Sequence, residues 1–191
     1  MRRSIKSSRV AASRLAVAIV VAAVIVVVAA VSFLYLIPRG PTEISLTAQE
    51  FGFNQPSGGP TIRIKSGEQV KIVLVNRGGM DHEFMIVKNV ESFHSELDKK
   101  VMELQGMGMS MEEIMESEEL EMLHHKYVVM DVLTVNGVKE SEVEVEPGER
   151  KEFFLTLTEP GTYYYVCAEV VGVFPHSHID RGMWGVIEVT Q

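Results

Sequence analysis

The chain has 191 residues, enough for one domain with a sizeable core plus an appendage and too few for two full-sized enzyme domains. With 46% apolar and 23% charged residues it is not globally disordered, and its single cysteine, Cys167, excludes a disulfide scaffold. The net charge of −8 is uneven: residues 1–14 hold five basic groups and no acid, whereas 12 basic groups face 26 acidic ones from residue 40 onward, which argues against nucleic acid as a partner.

Residues 15–37 form an uncharged run of 23, mostly Val, Ala, Ile and Leu, that ends at Pro38. At ~1.5 Å per residue such a helix spans a ~30 Å hydrocarbon core, and the run exceeds the ~7–15 apolar residues of a cleavable signal peptide. Basic residues before it and acidic ones after it orient the chain with its N-terminus in the cytoplasm. The Arg2-Arg3 pair belongs to this charge signal, and Tyr35 suits the outer interface. The expected organisation is therefore a basic cytoplasmic N-terminus at 1–14, a single transmembrane anchor at 15–37, and a domain at 42–191 on the extracytoplasmic side of the cell membrane.

Short alternating runs rich in β-branched and aromatic residues follow at 43–48, 61–65, 69–76 and 82–88, and again at 127–134, 142–146, 150–158, 162–167 and 184–190. Turn signals such as Ser66-Gly67-Glu68, Asn136-Gly137, Glu146-Pro147-Gly148 and Glu159-Pro160-Gly161 separate them. Strands at this spacing, without helical crossovers, predict an all-β Greek-key β-sandwich. Residues 91–126 break the texture with ten acidic groups, three basic groups and six methionines. Ser110 and Glu113 have capping-box spacing, and Met111, Met115 and Met122 recur at helical spacing. The segment reads as an insertion of one or two helices, joined at Gly106-Met107-Gly108 and laid over one end of the sandwich.

Alternation along 162–167 puts Tyr163, Tyr165 and Cys167 on one face, with the thiol at the strand's end. The loop after it holds His176 and His178, and Met183 stands just before the last strand. On another strand His82 shares a face with Phe84 and Ile86, so an imidazole points into an apolar interior and can close the set. A thiolate and two imidazoles with a weak axial thioether are the ligands of a blue-copper electron-transfer site, because soft sulfur favours Cu(I) while imidazole suits Cu(II). Taken singly, each of these residues reads as ordinary core packing. Their convergence on one hairpin is what points to a metal.

Residues 43–90 and 127–190 resemble the cupredoxin family, closest to its rusticyanin and sulfocyanin type. The first half of the likeness lies in Thr47 to Phe53, Ile62, Ile64, Gly67-Glu68, Asn76 and Asp81-His82-Glu83-Phe84. The second lies in Pro160 to Cys167 and in His178 to Ile187, including four residues between His178 and Met183. The resemblance implies a cupredoxin domain at 42–191 holding one copper per chain, with His82, Cys167 and His178 as strong ligands and Met183 as the axial one. Ten residues separate Cys167 from His178, more than is usual in these carriers, so the loop must bulge and His176 is an alternative ligand.

The segment from Cys167 to Gly172 is also similar to the dinuclear copper loop of cytochrome c oxidase subunit II, but Val171 stands where that loop has its second cysteine. The six methionines with His124-His125 allow a further reading as a Cu(I)-handling protein, and Val173-Phe174-Pro175 offer an apolar contact patch. No nucleophile elbow, phosphate loop or HExxH motif is present, and six histidines are too few for an additional catalytic copper. The expected function is that of a membrane-anchored carrier of single electrons between respiratory partners such as a cytochrome or a terminal oxidase, and not an enzyme.

Overall fold

The computed structural model describes residues 23–28, 32, 40–170 and 177–191. The chain divides into two units, Met1–Gly40 and Pro41–Gln191. In the first, residues 23–28 and 32 are helical, and Val24 to Val28 are each more than half exposed. No helix among the described residues is long and apolar enough to cross a membrane. The basic N-terminus and most of the expected anchor at 15–37 lie outside those residues.

In the second unit two sheets face each other. One has the order β2 (Gly52–Phe53), β1 (Thr42–Gln49), β4 (Gln69–Asn76), β9 (Arg150–Thr156), β6 (Leu133–Val135), β7 (Val138–Glu140). The other runs β3 (Ile62–Lys65), β11 (Trp184–Thr190), β10 (Gly161–Val166), β5 (His82–Val87), β8 (Glu142–Val145). β1 pairs with β4 and β3 with β11 in parallel, and the remaining neighbours are antiparallel. The inner faces meet through Val70, Ile72 and Leu74 of β4, Phe153 and Leu155 of β9, Phe84 and Ile86 of β5, and Tyr163 and Tyr165 of β10. Each such side chain contributes roughly 1.5–3 kcal/mol by leaving water. The expected β-sandwich is present.

Strand β5 is buried at every position, which alternation alone does not explain. Its outward residues, Met85 and Val87, belong to a second core shared with Val166 and with the inserted helices. The first of these, α1 (Val90–Gly106), is capped by the Asn89 side chain, which accepts from the Ser92 N–H. It turns Val90, Phe93, Leu97, Val101 and Leu104 inward at helical spacing. Gly108, at φ +87°, lets the chain reverse into α2 (Met111–Met115), where Ser110 and Glu113 form the expected capping box. Ser117 caps α3 (Glu118–Tyr127), whose Leu120 and Leu123 complete the second core.

Two expectations are corrected here. The insertion has three helices, and it covers the outer face of the five-stranded sheet, because the apolar outward side chains of β5 and β10 need a partner there. The strand expected at 127–134 is mostly absent: Tyr127 is the last residue of α3, Val128 makes only an isolated bridge to Val87, and β6 begins at Leu133. Asp131, at φ 61°, breaks the run between them. Asn136-Gly137 then closes β6 onto β7, both residues having the positive φ that a tight hairpin requires.

Candidate metal centre

His82 opens β5, and Cys167 follows the last residue of the adjacent β10. Because β5 and β10 are antiparallel, with Val166 opposite Met85, the start of one strand and the end of the other lie at the same pole of the sandwich. The loop ahead of His82 is held by Asn76, whose amide donates to the carbonyls of Met80 (2.8 Å) and Val145 (2.9 Å) while its Oδ1 accepts from the Gly78 N–H (2.8 Å). A Cβ at Gly78 would come within 2.9 Å of His82 Nε2, so the loop approaches the imidazole closely only because that residue has no side chain.

The ten-residue interval after Cys167 is pinned where its two described ends meet. The His178 N–H donates to the Glu169 carbonyl (2.9 Å), and Val170 bridges Ser177, so the chain leaves and rejoins at one point. Residues 171–176 lie outside the described ones, His176 and the Val173-Phe174-Pro175 patch with them. The return brings His178 back beside Cys167. Tight turns then follow, with the N–H groups of Arg181 and Met183 both donating to the His178 carbonyl. The Cys167 N–H donates to the Met183 carbonyl at 3.0 Å, so Met183 is tied by its backbone to both neighbours and is itself fully buried in the inner core.

Three donor atoms converge. Cys167 Sγ lies 3.3 Å from His178 Nδ1 and 3.7 Å from His82 Nδ1, and the two Nδ1 atoms are 3.2 Å apart. All three residues are completely buried. A shared proton can satisfy one pair in such a triangle, whereas a cation satisfies all three corners. The point equidistant from the corners is about 2.0 Å from each, a metal–nitrogen distance and slightly short for sulfur. The donors therefore fit a borderline-soft ion of trigonal preference, and copper is the ion that a thiolate and two imidazoles in this shape suit.

Burial governs the protonation of the three groups. It lowers the His82 imidazole, against the opposing pull of Glu50 and Asp81. It pushes His178 down to about 4, helped by His82 and Arg181. It raises the Cys167 thiol well above its usual range, with Glu83 adding to the effect and the backbone N–H groups of Glu83 and Glu169 opposing it. Two neutral imidazoles and a neutral thiol result, and a cation in their midst inverts that balance at the sulfur. The Phe51 and His178 rings meet in a T-shaped contact with centroids 5.7 Å apart, and the Arg181 guanidinium lies 4.7 Å from the Phe51 centroid.

A second cluster supports the loop and was not foreseen. His94 Nε2 on α1 lies 2.6 Å from Asp180 Oδ1 and 3.2 Å from Asp98 Oδ2. The other oxygen of Asp180 accepts from the N–H (2.9 Å) and hydroxyl (3.2 Å) of Ser177. The inserted helix is thus bonded to the turn that carries His178. The available signal was weak: an aspartate two residues after a candidate ligand, and a histidine 86 positions away.

No family model matches the chain. The copper-resistant cuproprotein CopI of Pseudomonas aeruginosa is 30% identical to it over 129 residues, which cover 67% of this chain and 67% of that protein. Among solved structures, the fold is similar to reduced auracyanin from Roseiflexus castenholzii, at 16% identity and a TM-score of 0.48, covering 80% of this chain and all of that one. It is also similar to auracyanin A, a blue copper protein from Chloroflexus aurantiacus, at 18% identity and a TM-score of 0.47, covering 79% and 100% of the two chains.

Proposed function

This chain belongs to the cupredoxins, as a relative of the copper-resistant cuproprotein CopI, and from that premise we propose that it is a mononuclear copper protein that carries one electron at a time. The observation that carries the reading is the buried triangle of His82, Cys167 and His178, whose donor atoms face one another at one pole of the sandwich. Copper supplies a one-electron couple there. The protein's part is to hold the donors so that they move little between oxidation states: two ligands sit at the ends of paired strands, and the third is fastened by backbone hydrogen bonds on both sides. Met183 is the axial ligand in this reading, supported by its burial beside Cys167 and its backbone ties to Cys167 and His178.

The run at 15–37 would anchor the domain to the cytoplasmic membrane. The exposed apolar surface of Val24 to Val28 supports this, since water penalises a helix that is apolar on every side. The carrier would then serve partners outside that membrane, a cytochrome or a terminal oxidase among them.

One equivalent of Cu(II) added to the protein is expected to give an intense thiolate-to-copper absorption band, abolished by Cys167→Ala and by His82→Ala. Separate His176→Ala and His178→Ala variants identify the loop ligand, with His178 expected to matter. Met183→Leu should retain the band and shift the reduction potential.

A second reading, copper resistance through capture of Cu(I), is favoured by the name of the relative and by the exposed Met102, Met107, Met115 and Met122 of the insertion. Tight Cu(I) uptake that survives Cys167→Ala would favour it. A dinuclear oxidase-type centre is disfavoured, because the sequence holds one cysteine and cannot bridge two ions with thiolates.

A further inference from the structure

The turn that carries His178 and Met183 is gripped at a second place by the loop that follows β2. The Ser57 hydroxyl donates to the Arg181 carbonyl at 2.9 Å, and the Gly58 N–H donates to the Gly182 carbonyl at 2.8 Å. The Gly182 carbonyl also accepts from the Trp184 N–H at 2.8 Å, while the Met183 N–H donates to the His178 carbonyl at 3.0 Å. Both polar groups of the peptide that joins Gly182 to Met183 are thus bonded. The two segments meet closely: a Cβ at Gly182, whose φ is +88°, would come within 2.5 Å of Ser57 Oγ. Phe51, just ahead of β2, meets the His178 ring as well.

A brace restrains only what is softer than itself, and this loop is firmly fixed. Phe53 is fully buried in the inner core, and its N–H donates to the Gly58 carbonyl at 2.7 Å. Asn54 is bonded to β1 three times: its N–H donates to the Thr47 carbonyl (2.7 Å), its Oδ1 accepts from the Thr47 N–H (2.6 Å), and its Nδ2 donates to the Ser45 carbonyl (3.2 Å). The loop therefore belongs to the six-stranded sheet, whereas the turn it grips runs directly into β11 of the other sheet. We propose that Ser57 and Gly58 are positioning residues for Met183, tying the peptide ahead of it to the six-stranded sheet and so restraining where its thioether stands. The proposal rests on the copper reading above, in which Met183 is the axial ligand. The reduction potential of such a centre is tuned by that ligand, so a residue that acts only through the Arg181 and Gly182 carbonyls becomes a control point for it.

The test uses the full chain, both metal-free and loaded with one copper. Ser57→Ala removes the hydroxyl donor, and Ser57→Thr restores one. Ser66→Ala is the matched control: its hydroxyl donates to the Thr158 carbonyl at 2.5 Å, beyond the end of the β3 and β11 pairing that lies away from the turn. In the metal-free chain, the Met183 and Trp184 amide hydrogens should exchange about threefold faster in Ser57→Ala, the factor that one hydrogen bond of ordinary net strength implies. In the copper form, the one-electron equilibrium should change by about threefold, roughly 30 mV, and copper release to a chelator should accelerate by a similar factor. Ser57→Thr should return all three measurements to near wild type, and Ser66→Ala should leave them unchanged. Unaltered amide exchange in Ser57→Ala would overturn the proposal. Faster exchange with an unaltered potential would overturn it too, since the bond would then stabilise the turn without positioning the ligand, and so would equal shifts in Ser66→Ala. Absence of the thiolate band from the wild-type chain would sink the copper reading instead, and amide exchange would still decide whether the loop holds the turn.

Discussion

The backbone N–H of Glu83 donates to the sulfur of Cys167 at 3.3 Å, so the residue that follows one imidazole ligand is bonded to the thiol. A hydrogen bond to sulfur stabilises the form in which sulfur carries more negative charge, which is the reduced centre. Glu83→Pro removes the donor, and the reduction potential should fall by roughly 60 mV, a tenfold change in a one-electron equilibrium. Glu83→Ala keeps the N–H and loses the carboxylate. Voltammetry of both variants separates the two contributions, and an unchanged potential in the proline variant would remove the hydrogen bond from the account.

Copper uptake should release one proton per chain near neutral pH. The proton comes from Cys167, whose thiol burial holds protonated, while His82 and His178 are already neutral because burial lowers them. Affinity for Cu(II) should therefore rise about tenfold per pH unit around neutrality, where one proton competes with the ion. The dependence should steepen below about pH 4, where His178 also becomes protonated in the metal-free protein. Titrations in buffers of different ionisation enthalpy give the proton count directly, and two protons released at pH 7 would contradict the neutral-imidazole assignment.

Asp180→Asn should loosen the ligand turn from α1. The substitution keeps the shape but weakens the bonds to His94 and Ser177, and the loss of charge-assisted hydrogen bonds implies a destabilisation of roughly 1–3 kcal/mol. Denaturant unfolding of the metal-free protein measures that effect. Copper release to a chelator should also accelerate, and a rate equal to wild type would mean that the helix does not restrain His178.

Gly185→Ala tests the packing behind the site. A Cβ there would collide with the Tyr165 ring, whose hydroxyl donates to the Pro60 carbonyl at 2.7 Å. Overpacking of this kind costs about 1–3 kcal/mol. Combining it with Tyr165→Leu should recover part of the loss, so that the double variant is more stable than additivity of the two single changes allows.

The sandwich, His82 and Cys167 were legible because alternation in 82–87 and 162–167 assigns faces without reference to the rest of the chain, whereas His178 was read from its spacing to Met183 in the family resemblance, with His176 as the alternative. The helical insertion was legible as well, down to the Ser110 and Glu113 cap. Its place was not: Met85, Val87 and Val166 look like ordinary strand residues, and nothing in their local pattern says that helices cover them. The strand expected at 127–134 failed because Val128, Val129 and Val132 satisfy a β pattern while Tyr127 is already committed to α3. The link from His94 to Asp180 escaped for a related reason: it joins segments far apart in sequence, and each residue alone reads as a solvated charge.

The sulfur and the first imidazole of the centre are 85 positions apart in the chain. During synthesis that histidine therefore waits without its companions until β10 and the turn after it have been made, and the pole of the sandwich closes only when they dock. An ion bound at all three corners therefore engages the chain only once the long-range pairing of β5 with β10 is made.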